Sequence, residues 1–206
     1  REFLDSLIRD NKINCIANFA AESHVDRSIK NPNDFIKTNV EGTYNLLDVF
    51  KNAWAENNCP SNWRFLHVST DEVFGSLLKS DIKFNEKSKY LPRSPYSASK
   101  AASDHLVMAW FHTYGLPVII SNCSNNYGPF QFPEKLIPKT IISCLQGKKI
   151  PVYGSGDNIR DWLFVEDHIC ALAKLITQAD PGTNYCIGGD GEISNLEIVN
   201  MICDIT

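Results

Sequence analysis

Short apolar runs alternate with longer amphipathic stretches along this chain, and polar residues gather where the apolar runs stop. NCIANFA (14–20), WRFLHVS (63–69) and PVIISNCS (117–124) read as strands, apolar nearly throughout, as expected when a sheet is covered on both faces. Between them, NPNDFIKTNVEGTYNLLDVFKNAWAENN (31–58) predicts one long helix. SPYSASKAASDHLVMAWFHTYG (94–115) predicts another, with Ser94 as cap, Pro95 in the first helical position and Gly115 with Pro117 as the stop. A polar loop runs to about residue 93. Strand, helix, strand, helix, strand is the pattern of a parallel sheet with crossover helices, hence α/β. After Tyr127 the texture shifts to a Pro-, Gly- and aromatic-rich stretch, NYGPFQFPEKLIP, followed by a helix at 135–146 and shorter segments. The expected division is 1–127 for the sheet domain and 128–206 for a smaller portion with segments returning to the sheet.

Composition narrows the partners. Hydrophobic residues make up 43% and charged residues 21% of the 206 residues, with a formal net charge of −4, which is ordinary for a folded globular chain. No basic block tracks a phosphate backbone, so no nucleic-acid partner is expected. No apolar run approaches the roughly 18 residues of a membrane span, and REFLDSLIRDNKI lacks the apolar core of a signal peptide. Neither a CxxC nor a Cys/His cluster with zinc-ligand spacing occurs, so no metal is expected. The seven cysteines are expected to be reduced, buried thiols in a cytoplasmic protein.

In an open parallel sheet, ligands bind beyond the carboxyl ends of the strands. Those ends here are AAESHVDRS, STDEVFG and SNCSNNYGP, each rich in groups that hydrogen-bond or titrate. Tyr96 and Lys100 in YSASK lie four apart, on one face of their helix. A phenol has a pKa of about 10, and a neighbouring ammonium favours the phenolate and makes it usable as a base. Alone, that spacing is no better than even odds against a packed tyrosine and a solvated lysine. An isolated Asp71–Glu72 pair would likewise be a solvated strand end more often than a catalytic one.

The chain as a whole resembles the extended short-chain dehydrogenase/reductase family, and within it the nucleotide-sugar 4,6-dehydratases. FAAESHVDRSI, TNVEGTYNLL, HVSTDEVFG, SPYSASKAASDHLV, NCSNNYGPFQFPEKLIP, PVYGSGDNIRDWLFVEDH and YCIGG carry the resemblance, in family order over roughly residues 13 to 200. It implies a Rossmann-like doubly wound parallel sheet, truncated, with a smaller mixed substrate-binding portion. It further implies an NAD-dependent lyase acting on a nucleoside-diphosphate glucose, dTDP-glucose ahead of UDP-glucose, to give the 4-keto-6-deoxy sugar.

By that resemblance Tyr96 is the base at the 4-hydroxyl, Lys100 tunes it and holds the nicotinamide ribose, and Thr70 bonds the same oxygen. Glu72 matches the base that takes the C5 proton and Asp71 the acid that serves the departing 6-hydroxyl. Ala20, Ala21, Ser23, Thr38 and Asn126 match cofactor-lining positions, while Ser23, Thr43 and Asn125 match sugar contacts. Lys135, Leu136, Pro151, Tyr153, Arg160 and Asn195 match positions around the nucleotide diphosphate. On chemistry alone, Lys135 could be a solvated helix start and Asn195 a helix N-cap, and His24 reads as a satisfied structural histidine. The family also implies a homodimer through the helices at 31–58 and 94–114.

Two features depart from the family pattern. Phe74 stands where relatives usually carry Tyr. None of the eleven glycines forms the GxxGxxG turn that brings a backbone up to a dinucleotide pyrophosphate. The sequence therefore predicts a chain lacking the first Rossmann strands and the C-terminal end of the family, inactive as these residues alone, with a non-catalytic binding or scaffold module as the alternative.

Overall fold

The computed structural model describes residues 1–77, 81–152 and 154–206. It divides into two compact units, Arg1–Asn122 with Leu172–Cys186, and Cys123–Ala171 with Ile187–Thr206. Strands are numbered β1 (Cys15–Asn18), β2 (Arg64–Thr70), β3 (Val118–Cys123), β4 (Asn125–Tyr127), β5 (Ile159–Phe164), β6 (Thr183–Ile187) and β7 (Glu192–Ser194).

Among the described residues, the first unit is built on a four-stranded sheet in the order β1-β2-β3-β6. β1 runs parallel to β2, with Cys15 opposite Arg64 and Asn18 opposite His67. Helices α1 (Glu2–Asp10), α4 (Gly42–Glu56) and α5 (Pro95–Tyr114) pack on it. Leu47, Val49, Phe50 and Ala53 of α4 meet Val107 of α5, Ile8 of α1, Phe65 of β2, and Val118 and Ile120 of β3. Phe50 is fully buried, its ring 5.0 Å from that of Trp63 and 5.9 Å from that of Phe65. A buried side chain of this size contributes about 1.5–3 kcal/mol. Leu66 and Ile119 point to the opposite face by strand alternation and are just as buried. Both faces are therefore covered, which accounts for the continuous apolar runs.

The long helix expected at 31–58 is interrupted. After the short helix α2 (Val25–Lys30), it is assembled from α3 (Pro32–Phe35), a π-helical segment (Ile36–Glu41) and α4. π segments recur at functional sites, and here Asn39, buried in the segment, binds the loop that follows β1 through both of its amide atoms. The apolar period of a helix carries no mark of one extra residue in a turn, so the interruption was not legible. α1 was likewise not predicted. It is stapled to α4 by ion pairs of Arg9 with Glu56 and of Arg1 with Asp48.

Expected and observed boundaries of α5 agree because its ends are set by local chemistry. The Ser94 hydroxyl accepts from the Ser97 amide at 3.1 Å, and the Ser97 hydroxyl accepts from the Ser94 amide at 3.0 Å. Gly115 closes the helix in the left-handed conformation at φ 74°.

The second unit holds a three-stranded sheet, β4-β5-β7, in which β4 is parallel and β7 antiparallel to β5. Helices α6 (Leu136–Leu145) and α8 (Asn195–Ile205) pack on each other. Helix α7 (Val165–Gln178) lies in this unit as far as Ala171. Asp161 accepts from the amides of Gly189 and Gly191, each at 2.8 Å, and so ties down the GGDG turn. A Cβ on Gly189 would meet the Trp162 carbonyl oxygen, so only glycine fits there.

All seven cysteines are free thiols, but only Cys123 is buried as expected; Cys15, Cys144 and Cys186 are half-buried, and Cys59, Cys170 and Cys203 are exposed. An apolar neighbourhood in sequence does not say which side of a helix a residue takes. Among the described residues, no helix is long and apolar enough to cross a membrane.

Replacing Ser94 with alanine removes the hydroxyl half of the capping box, the bond from the Ser97 amide, at the turn that carries Tyr96. We expect urea titration of the intact protein to show a loss of about 1 kcal/mol, with faster amide exchange confined to the first turn of α5. An unchanged unfolding midpoint would mean that the cap contributes nothing.

Candidate active site

β2 ends in a turn that its own side chains make. Thr70, 8% exposed, caps the short 3-10 turn Asp71–Phe74: its hydroxyl oxygen accepts from the Glu72 amide at 3.2 Å and lies 3.3 Å from the Asp71 carboxylate. Asp71 and Glu72 are half-buried. The first turns of α5, which packs on β2 and on this turn, present Tyr96 and Lys100. Tyr96 is half-buried, edge-on to the ring of Phe35 at 6.3 Å. Lys100 is not a solvated lysine. It is 3% exposed, and its ammonium donates to the Val68 carbonyl at 2.8 Å.

Beneath this surface lies a buried polar network. Asp104, 1% exposed, accepts from the Ser69 hydroxyl at 2.9 Å, the Tyr90 hydroxyl at 2.8 Å and the Asn122 amide at 3.2 Å. Asn122 also donates to the Thr70 carbonyl at 3.2 Å. The Asn18 amide faces His67 Nδ1 at 3.2 Å. Because that amide nitrogen only donates, Nδ1 accepts and the ring proton sits on Nε2. Nε2 lies 3.4 Å from Asp104 Oδ1 and 3.5 Å from Lys100 Nζ. Burial, and then the Lys100 charge, pushes His67 below the ordinary histidine pKa. Burial and Asp104 push the Tyr90 phenol up. A carboxylate, a neutral imidazole and an ammonium thus lie in sequence under the turn that holds Thr70, Asp71 and Glu72.

The residues expected after β1 hang on the same scaffold. The Ala20 amide donates to the Asn18 side chain at 3.2 Å, and Asn39 holds the backbone of Glu22 from both sides while donating to Ser99 of α5 at 2.8 Å. Ala20 and Ser23 are exposed and Ala21 half-buried in this loop, with Thr38 exposed on the π segment. Thr43 is buried, its hydroxyl 3.4 Å from the Asn18 amide. His24 was expected to be satisfied, but its Nδ1 is buried without a hydrogen-bond partner; it precedes α2 without capping it.

The second unit contains a cavity of about 160 Å³, lined among others by Asn125, Leu136, Pro151, Arg160 and Asn195. Those five were expected from sequence, and Glu134, Lys139, Thr140 and Trp162 join them. Lys135 precedes α6 without lining the cavity, and Tyr153 lies outside the described residues. The alternative of Asn195 as a helix cap fails, because Ser194 does that work in a capping box with Glu197. Asn126 Oδ1 accepts from His168 Nδ1 at 2.8 Å, and the Asn126 amide nitrogen donates to the Ser124 carbonyl at 3.1 Å.

A family model described as GDP-mannose 4,6 dehydratase matches residues 1–205. The chain belongs to this family. It is 52% identical over 204 residues to the dTDP-glucose 4,6-dehydratase of Escherichia coli, a match covering 94% of this chain and 56% of that protein. Among solved structures it is similar to a dTDP-glucose 4,6-dehydratase double mutant of Streptomyces venezuelae with NAD bound, at 41% identity and a TM-score of 0.91, covering 98% of this chain and 60% of the other. It is also similar to the Bacillus anthracis dTDP-glucose 4,6-dehydratase in complex with NAD, at 43% identity and a TM-score of 0.86, covering 99% and 60%. The chain spans less than two thirds of the length of these relatives. The resemblance drawn from the motifs, and the Rossmann-like α/β fold with a smaller mixed sheet, hold.

Sequence reasoning passed over His67, Asp104 and Asn122. One signal was present: Tyr96, Lys100 and Asp104 repeat every four residues and so share a face of α5.

The burial of neutral histidine sets a pH dependence. A histidine whose folded pKa lies below its unfolded value, about 6.5, contributes stability above that value and loses it as pH falls towards the folded pKa. His67 has this sign, and so does His168, lowered by burial. Unfolding free energy in urea should fall below about pH 6.5, by up to about 1.4 kcal/mol per pH unit per histidine. H67Q should flatten that slope; an unchanged slope would show that His67 does not stay neutral in the fold.

Proposed function

We propose that the intact protein converts a nucleoside-diphosphate glucose, dTDP-glucose in the first instance, to its 4-keto-6-deoxy derivative with loss of water. The observation that carries this is the Thr70-Asp71-Glu72 turn at the end of β2 against the α5 face bearing Tyr96 and the buried Lys100. Its similarity to dTDP-glucose 4,6-dehydratases, two of them with NAD in their structures, supports the same reading.

A phenol and a buried ammonium on one helix face, beside a strand-end hydroxyl, form a donor set suited to the ribose end of a nicotinamide dinucleotide. Tyr96 and Lys100 would hold that end, and Ala20, Ala21, Ser23, Thr38 and Asn126 match further cofactor positions of the family. Bound NAD supplies one thing, the removal of hydrogen with its electron pair from C4 and its return to C6. Tyr96 takes the proton of the 4-hydroxyl, and the Lys100 charge favours the phenolate that does so. Thr70 donates to the same oxygen. The resulting 4-keto group acidifies C5, so Glu72 can take the C5 proton while Asp71 gives one to the departing 6-hydroxyl. Two adjacent carboxyls can divide base and acid work when their surroundings hold them in different protonation states. Thr70 at the Asp71 carboxylate, with the Glu72 amide on the Thr70 hydroxyl, makes those surroundings unequal.

Ser23, Thr43 and Asn125 are assigned to the sugar, and Lys135, Leu136, Pro151, Tyr153, Arg160 and Asn195 to the nucleotide diphosphate. Arg160 is apt for phosphate because its planar fork pairs with two oxygens at once. A homodimer through α4 and α5 and a cytoplasmic setting belong to the same proposal. The exposed rings of Tyr44 and Tyr114, which flank Trp110 at 5.9 and 5.6 Å, provide apolar surface for such a contact.

Incubation of the intact protein with NAD and dTDP-glucose should yield the 4-keto-6-deoxy sugar, with UDP-glucose slower. Y96F should lower kcat by about 10²–10⁴, and E72Q should block product while leaving nucleotide binding intact. No product from any nucleoside-diphosphate glucose would sink the reading.

A further inference from the structure

Outside the proposed site, two thiols face each other across the seam between α6 and α8. Cys144 Sγ, near the end of α6, lies 3.6 Å from Cys203 Sγ, near the end of α8. Cys203 is exposed and Cys144 partly so. Both are placed by the helical period. Leu136, Thr140 and Cys144 recur every four residues on α6, and Asn195, Val199 and Cys203 do so on α8. Leu136, Thr140 and Asn195 line the 160 Å³ cavity. The seam therefore has the cavity at one end and the thiol pair at the other. Val199, 5% exposed, lies between them on α8.

We propose that Cys144 and Cys203 form a redox dithiol that closes to a disulfide and clamps α6 to α8 at the end of the seam remote from the cavity. The oxidant class is a small-molecule disulfide, RSSR. The exposed Cys203 thiolate attacks one sulfur of RSSR, forming a mixed disulfide and releasing one RSH, which takes up the thiol proton. The Cys144 thiolate then attacks the Cys203 sulfur and displaces the second RSH. Two thiols lose two electrons and two protons in all, and RSSR gains them. The Cys144 contact raises the Cys203 pKa, so closure should quicken as pH rises. Cys15, Cys59, Cys170 and Cys186, thiols that lie outside the α6–α8 seam, serve as internal controls.

The test uses oxidised glutathione on the intact protein, followed by proteolysis without reduction and mass spectrometry. A single peptide pair joining the Cys144 and Cys203 segments is expected, lighter by two hydrogens than the separate thiols. C144S should stop at Cys203 carrying glutathione, and C203S should give no link. Hydrogen exchange at the last turns of α6 and α8 should slow several-fold on oxidation of the wild type and not of C203S. Absence of the link, random linkage among the cysteines, or a link with unchanged exchange would each overturn the proposal. None of these readouts depends on catalysis, so failure here is separable from failure of the dehydratase reading.

Discussion

An ammonium buried to 3% exposure is the constraint around which the first unit is organised. Removing a charge of this kind from water costs several kcal/mol, and the fold must supply oxygens and a counter-charge in return. The Val68 carbonyl supplies one oxygen directly. Asp104 supplies negative charge at the His67 nitrogen that Lys100 also faces, and it is itself held by Ser69, Tyr90 and Asn122. Because Asn122 reaches the Thr70 carbonyl as well, the same network fixes the backbone where Thr70, Asp71 and Glu72 turn out of the strand. Positions of lysine and turn are therefore coupled. A shift of α5 along β2 would break bonds to both.

The neutrality of His67 is what makes this arrangement tolerable. A second cation beside Lys100 would add repulsion to desolvation, and both effects push the imidazole the same way. With its proton on Nε2, the ring stands beside Asp104 and Lys100 at that one nitrogen without carrying charge of its own. Asn18 selects that tautomer and at the same time orders the loop after β1 through the Ala20 amide. One asparagine thus connects the loop after β1 to the network beneath the Thr70-Asp71-Glu72 turn.

What the sequence disclosed follows from which forces are local. α5 was legible to within a residue because serine, proline and glycine act within a turn of where they stand. β2 and β3 were legible because burial on both faces gives each an unbroken apolar stretch, Phe65–Leu66 in one and Val118–Ile120 in the other. The polar members of the network were not legible, since His67 and Asn122 owe their burial to partners 30 or more residues away in the chain, or on another element. The π segment was hidden for the converse reason, as it changes the phase of a helix without changing its composition. In the second unit the cavity residues were found one by one through motif resemblance, but nothing in their spacing predicted that Asn125, Leu136, Pro151, Arg160 and Asn195 would share one wall system.

Phe74 shows how a departure from family pattern is absorbed. Its ring is 2% exposed and packs 5.3 Å from both Phe84 and Tyr90, the latter edge-on. Tyr90 in turn places its hydroxyl on Asp104. The ring at position 74 therefore acts through shape, holding Tyr90 in the pose that delivers a hydrogen bond to the buried carboxylate. A hydroxyl added there would need its own partner in an apolar pocket shared with Val73 and Ala101. Phenylalanine avoids that need, and the Thr70-Asp71-Glu72 turn keeps its support through Tyr90 and Asp104 instead.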